Sequence, residues 1–139
     1  KRILFVSNFF TENQAPFDAI KRFAELFDSN FHFLKVVTPD HFQTSAVVHE
    51  LMEAFEKETG NEATAKHVIN AETFEEGVRY YLEHHHIDMV AIETHGKQGL
   101  LKFFNPSMAE QLVNHLEYPV LTNRIVAPKI DYGVIFPTT

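Results

Sequence analysis

The residues able to do chemistry concentrate between Glu93 and Ser107, in the stretch "ETHGKQGLLKFFNPS". It follows a short apolar run, "IDMVAI", and leads into "MAEQLVNHL", whose apolar residues recur at helical spacing. A loop of this kind offers backbone N–H groups. Gly96 and Gly99 let the chain approach a ligand closely. Ser107 opens a helix whose first N–H groups lack intrahelical partners, an end that draws anions through oriented donors and the helix dipole. The chemistry on offer is phosphate binding.

Two residues of the same loop oppose it. Pro106 has no N–H to donate, and Glu93 brings a carboxylate towards any polyphosphate. Unit charges 4 Å apart at an effective dielectric of about 20 interact by about 4 kcal/mol, and a fraction of that offsets the hydrogen bonds still available. A bound Mg²⁺ would blunt the penalty. Each remaining residue also has a purely structural reading. Ser107 with Glu110 has capping-box spacing, which stabilises a helix by about 1 kcal/mol with or without a ligand. Gly96 and Gly99 serve equally well as turn residues. His95 reads as an oriented loop histidine, because no Asp or Ser can be assigned to it as a catalytic partner.

Elsewhere the candidates are weaker. His84, His85 and His86 in "EHHHID" are adjacent, so their rings point in different directions and do not form a metal site as i, i+4 histidines would. Favourable interaction with a helix C-terminus accounts for them. In "SNFF", Asn8 is a polar group following a strand, while Phe9 and Phe10 read as core rings with base stacking as the alternative. The runs "EKETGNE" and "ETFEE" are solvated acidic faces. No Ser-Gly-Gly-x-Asp-Ser loop, Gly-Lys-Ser phosphate loop or G-x-S-x-G elbow occurs.

The elements that must position these residues alternate regularly. "RILFVS" is a buried strand, and Pro16 marks the first turn of a helix with Phe17, Ile20, Ala24 and Phe27 on one face. "FHFLKVV" is the second strand. A helix over 43–58, with Val47, Leu51 and Phe55 spaced four apart, stops at Gly60. "TAKHVI" is a weaker strand. Thr73 and Glu76 form a capping box for a helix that buries Phe74, Val78, Tyr81 and Leu82. "IDMVAIE" is the fourth strand, a helix with Ala109, Leu112, Val113 and Leu116 follows, and "VLTNRI" is the fifth strand. The order β-α-β-α-β-α-β-α-β predicts an α/β fold, a doubly wound open parallel five-stranded sheet with helices on both faces. "YGVIF" in the tail predicts a small extra strand, on the sheet edge or on a second subunit.

Composition narrows the function classes. At 139 residues the chain is one domain's worth, and fourteen Phe with no Trp predict a core of phenyl rings. Without Cys there is no disulfide, thiol nucleophile or thiolate metal site, which fits a cytoplasmic location. A net charge of −7 predicts no affinity for nucleic acid or an anionic membrane, and no apolar run reaches the length of a membrane span. The start at "KRILFV", without Met, points to a processed chain or to one domain of a longer protein.

"IDMVAIETHGKQGLLKFF", "SMAEQLVNHLEYPVL" and the opening "KRILFVSNFFTENQAPFDAIKRFAELF" together resemble the universal stress protein family. The resemblance is most specific at "THG", at S-x-A-E and in the "PVL" strand, and it covers residues 1–125, leaving 126–139 as an extension. It implies the strand order 3-2-1-4-5 and dimerisation through the last strand, or pairing of tandem domains. One branch of the family binds ATP through Gly-x-x-Gly, nine residues and Gly-Ser/Thr, helped by an Asp after strand one. By that pattern Gly96 and Ser107 are kept, the first glycine is Glu93, the third is Pro106 and the Asp is Asn8. The carboxyl ends of strands one, two and four meet where strand order reverses. The candidate, degenerate nucleotide site therefore comprises Asn8, Val37, Glu93, His95, Gly96, Pro106 and Ser107. The resemblance implies a stress-response domain without catalysis or a required cofactor, acting by dimerisation or partner binding. The alternative is a switch protein holding ATP or AMP.

Overall fold

The computed structural model describes residues 1–9, 14–93, 120–126 and 129–135. Strand β1 (Arg2–Val6) leads to helix α1 (Gln14–Leu26), β2 (Asn30–Val37), α2 (Ser45–Thr59), β3 (Ala65–Asn70), α3 (Phe74–His84), β4 (Met89–Glu93), β5 (Val120–Val126) and β6 (Lys129–Ile135). The strands form one sheet ordered β3-β2-β1-β4-β5-β6. The first five are parallel, in the order expected. A sixth strand adds to them: β6 runs antiparallel to β5, in register from Val120 opposite Ile135 to Val126 opposite Lys129. The helix expected around Leu112 and Leu116 lies outside the described residues.

β1 lies between β2 and β4, and both faces of its apolar run are covered. Leu4 and Val6 join Leu34, Val36, Val90 and Ile92 under α3, where Phe74, Val78, Tyr81 and Leu82 are buried as the sequence predicts. Ile3 and Phe5 face α1 and α2. There Phe5 contacts the rings of Phe9, Phe17, Phe31, Phe33 and Phe55 at centroid distances of 4.9 to 6.3 Å. Such aromatic pairs, most tilted or edge-on and that with Phe55 stacked, add to the apolar burial itself. The phenyl core is thus a continuous cluster on one side of the sheet.

Helix boundaries follow local chemistry. Thr73 accepts from the Glu76 N–H at the start of α3, and Thr44 accepts from the Val47 N–H at the start of α2. Gly60 closes α2 at φ 65°, the left-handed conformation that costs glycine least. The α2 stripe differs from expectation. Val48, Met52, Phe55 and Thr59 are buried, and Val47 is 45% exposed. Strict spacing by four drifts about 40° per step round a helix of 3.6 residues per turn, whereas the observed positions alternate steps of four and three and stay on one face. Phe27 also departs: α1 stops at Leu26, Asp28 turns the chain at φ 49°, and Phe27 packs on Phe23 at its rim, 49% exposed.

Candidate functional site at the carboxyl edge of the sheet

Strand order reverses at β1, whose neighbours β2 and β4 carry the chain away in opposite directions, so the carboxyl ends of these strands frame the crevice where open α/β sheets hold ligands. After β1 the chain makes a tight turn. The Ser7 N–H donates to the Leu34 carbonyl at 3.3 Å, and Ser7 Oγ accepts from the Phe9 N–H at 2.9 Å. Phe9 adopts φ 60°, rare for a bulky residue, and is fully buried. Its ring lies 4.9 Å from Phe33 and 5.5 Å from Phe55, which over-determines the strained turn. Phe9 is therefore a core ring. Phe10 lies outside the described residues.

The turn presents Asn8 to β2, where its Oδ1 accepts a hydrogen bond from Lys35 Nζ. Both are nearly inaccessible, Asn8 at 6% and Lys35 at 7% exposure. Burial pushes the Lys35 amine down to about 8, because a poorly solvated ammonium is disfavoured. Lys35 was not among the residues expected here. Its signal in the sequence is a lysine inside "FHFLKVV", a strand otherwise continuous enough to be buried on both faces.

Val37 ends β2 with its side chain 3% exposed, while its carbonyl accepts from the Ala71 N–H at 3.0 Å. That bond ties the exits of β2 and β3 together. Between them opens a cavity of about 380 Å³ walled by Val37, Thr38, Pro39, Phe42, Asn70, Ala71 and Glu72. The wall is mixed: the Phe42 ring is 72% exposed, and Thr38, Asn70 and Glu72 bring polar groups. The contribution of the β3 exit was not expected from the sequence. Glu93 is the last residue of β4, in register with Asn123 of β5 and one position beyond the pair of Val6 and Ile92. His95, Gly96, Pro106 and Ser107 lie outside the described residues. Of the seven candidate residues, the described chain thus brings Asn8, Val37 and the backbone of Glu93 to the same edge of the sheet.

The three consecutive histidines go separate ways. His84 Nδ1 donates to the Tyr80 carbonyl at 2.8 Å and His85 Nδ1 to the Tyr81 carbonyl at 3.1 Å, satisfying carbonyls of the last turn of α3. His86 Nε2 lies 3.4 Å from Asp88. Among the described residues no group of three or more His, Asp or Glu side chains is arranged to hold a metal ion, and no helix is long and apolar enough to cross a membrane.

Comparison with known proteins agrees with this architecture. The sequence profile described as the universal stress protein family matches residues 1–124. No curated protein matches the sequence. Among solved structures, the chain is similar to a universal stress protein crystallised in complex with cAMP, at TM-score 0.61 and 9% identity over 88% of this chain and 94% of that one. It is also similar to a universal stress protein family member from Burkholderia pseudomallei, at TM-score 0.54 and 20% identity over 87% and 93% of the two chains. A third, the universal stress protein UspA from Lactobacillus plantarum, gives TM-score 0.51 and 19% identity over 88% and 96%. At these identities the structures speak to the fold.

Proposed function

The chain belongs to the universal stress protein family, and from that premise we propose that it is a non-catalytic member with a degenerate nucleotide site, acting by dimerisation or partner binding. One observation carries the reading: the buried pair of Asn8 and Lys35. In the ATP-binding branch that this sequence resembles, an acid follows strand one. Here a neutral amide stands in its place, and its carbonyl oxygen is already occupied by the Lys35 amine. An acceptor engaged in a buried bond is costly to redirect towards a ligand hydroxyl, since its partner would be left unsatisfied. In the sequence, Glu93 and Pro106 act in the same direction, one by charge and one by the missing donor.

Calorimetry with ATP and Mg²⁺ on the purified chain tests this. The expected result is no binding in the micromolar range, with affinity created or strengthened in the paired variant E93G/P106G. Micromolar binding to the unaltered chain would overturn the reading.

The ATP- or AMP-holding alternative has one observation in its favour, the cavity at the exits of β2 and β3 with its exposed Phe42 ring and polar rim. A structural relative bound to cAMP is compatible with it. Under that alternative the melting temperature rises with millimolar ATP and Mg²⁺; under the principal reading it does not.

A further inference from the structure

Beneath α3, at the opposite end of the sheet from the crevice, four ring side chains from three elements meet. His32 stands early in β2, His67 in β3, Tyr81 in α3, and His85 directly after the end of α3. The Tyr81 hydroxyl is 2.7 Å from His32 Nδ1. The Tyr81 ring is stacked on His85, 4.0 Å between centroids and 12° from parallel. His67 lies 5.2 Å from both Tyr81 and His85, and His32 lies 6.4 Å from His85. Tyr81 is fully buried, His32 is 5% exposed, and His67 and His85 are half-buried.

We infer that His32 and His67, packed with His85 round Tyr81, form an acid-sensitive latch that holds edge strand β3 against β2 and α3 and loosens when His32 and His67 take up protons. Around His32 and His67, burial and the neighbouring charges oppose a proton. His32 is held below its ordinary 6.5 first by burial, then by the Arg2 guanidinium of β1, His85 at the end of α3 and His67 of β3. His67 is held below 6.5 first by burial, then by His85 and by His49 of α2. Tyr81 supplies no counter-charge: its phenol is neutral at these pH values, and burial pushes it further up, to about 12. For a group whose pKa is lower in the folded chain, the unfolded chain binds the proton first. Stability is therefore full above 6.5 and is lost as pH falls below 6.5 towards the folded values.

The strain would fall on the edge strand β3. All of β3 except its exposed last residue is only half-buried, whereas β1 is buried from its second residue onward. Local opening begins where buried apolar contact is sparse. β3 runs directly into Asn70 and Ala71 of the cavity wall, and α3 starts just beyond Glu72. Loosening that edge on acidification would thus reshape the cavity at its far end, whatever occupies it.

Hydrogen exchange of the full chain at pH 7.5 and 5.5, corrected for intrinsic rates, tests the latch. In the wild type, acidification should remove protection from the amides of β3 and α3 while those of β1 keep theirs. H67F retains a ring that takes no proton and should lose less, and H32Q/H67F should lose least. Uniform loss across the sheet, or the same loss in H67F as in the wild type, would overturn the proposal. Should the His32 variant fail to fold, NMR titration of the wild-type imidazoles decides. His32 and His67 titrating well below 6.5 supports the latch, and ordinary titration of both sinks it.

Discussion

Lys35 carries an amine into the phenyl-lined side of the sheet, where desolvation lowers its pKa from 10.5 to about 8. A change of that size corresponds to a charge-burial cost on the order of 3 kcal/mol at neutral pH. The sign is fixed by linkage. Between about 8 and 10.5 the unfolded chain still holds the proton that the folded chain has released, so stability from this residue rises with pH across that window. K35M removes the titration along with the hydrogen bond to Asn8, a bond worth about 1.5–3 kcal/mol while the amine is charged. Denaturant unfolding at pH 7, 9 and 10.5 should show the wild type gaining on K35M as pH rises. A gap that stays constant would mean that Lys35 folds with its charge intact.

α3 packs closely on β2 at Gly77. A Cβ added at Gly77 would lie 2.5 Å from Val36 Cγ1 and 2.7 Å from Cγ2, on a β2 side chain that is itself 5% exposed. Alanine is the better helix former by about 1 kcal/mol, but overpacking a closed core typically costs about 1–3 kcal/mol. G77A should therefore unfold at lower denaturant than the wild type. A double-mutant cycle with V36A should return a favourable coupling, because shortening Val36 vacates the space that the new methyl enters. G77A at wild-type stability would show that α3 shifts freely on the sheet. It would also weaken the acid latch, which depends on α3 holding Tyr81 and His85 over β2 and β3.

At the scale of the whole molecule the sheet has two unlike edges. β3 is short and half polar, while on the other side β6 covers β5 through an antiparallel ladder. An uncovered parallel strand would present a row of free N–H and C=O groups that recruit another chain. The tail thus closes the β5 edge within one chain, and dimerisation, as proposed here, would use β6 as the outer strand. The full chain should sediment as a dimer, and the chain cut after Val126, its β5 edge laid bare, should still self-associate. Unchanged monomeric sedimentation in both the full and the cut chain would remove the dimer from the proposed function.

Much of this was legible in the residues alone. Alternating apolar runs and capped amphipathic stretches specify strands, helices and their parallel order, because burial periodicity and helix ends are local properties. The phenyl core was readable from composition, and the end of α2 from Gly60. What required tertiary structure were properties set by neighbours distant in sequence. The stripe that α2 buries depends on where that helix settles over the sheet. The occupied state of Asn8 depends on a lysine 27 residues away, and the His32 and Tyr81 contact joins residues 49 apart. Local pattern determines which groups the chain owns; only packing determines which of them lose water together, and desolvation is what turns an amine, an imidazole or an amide into a site.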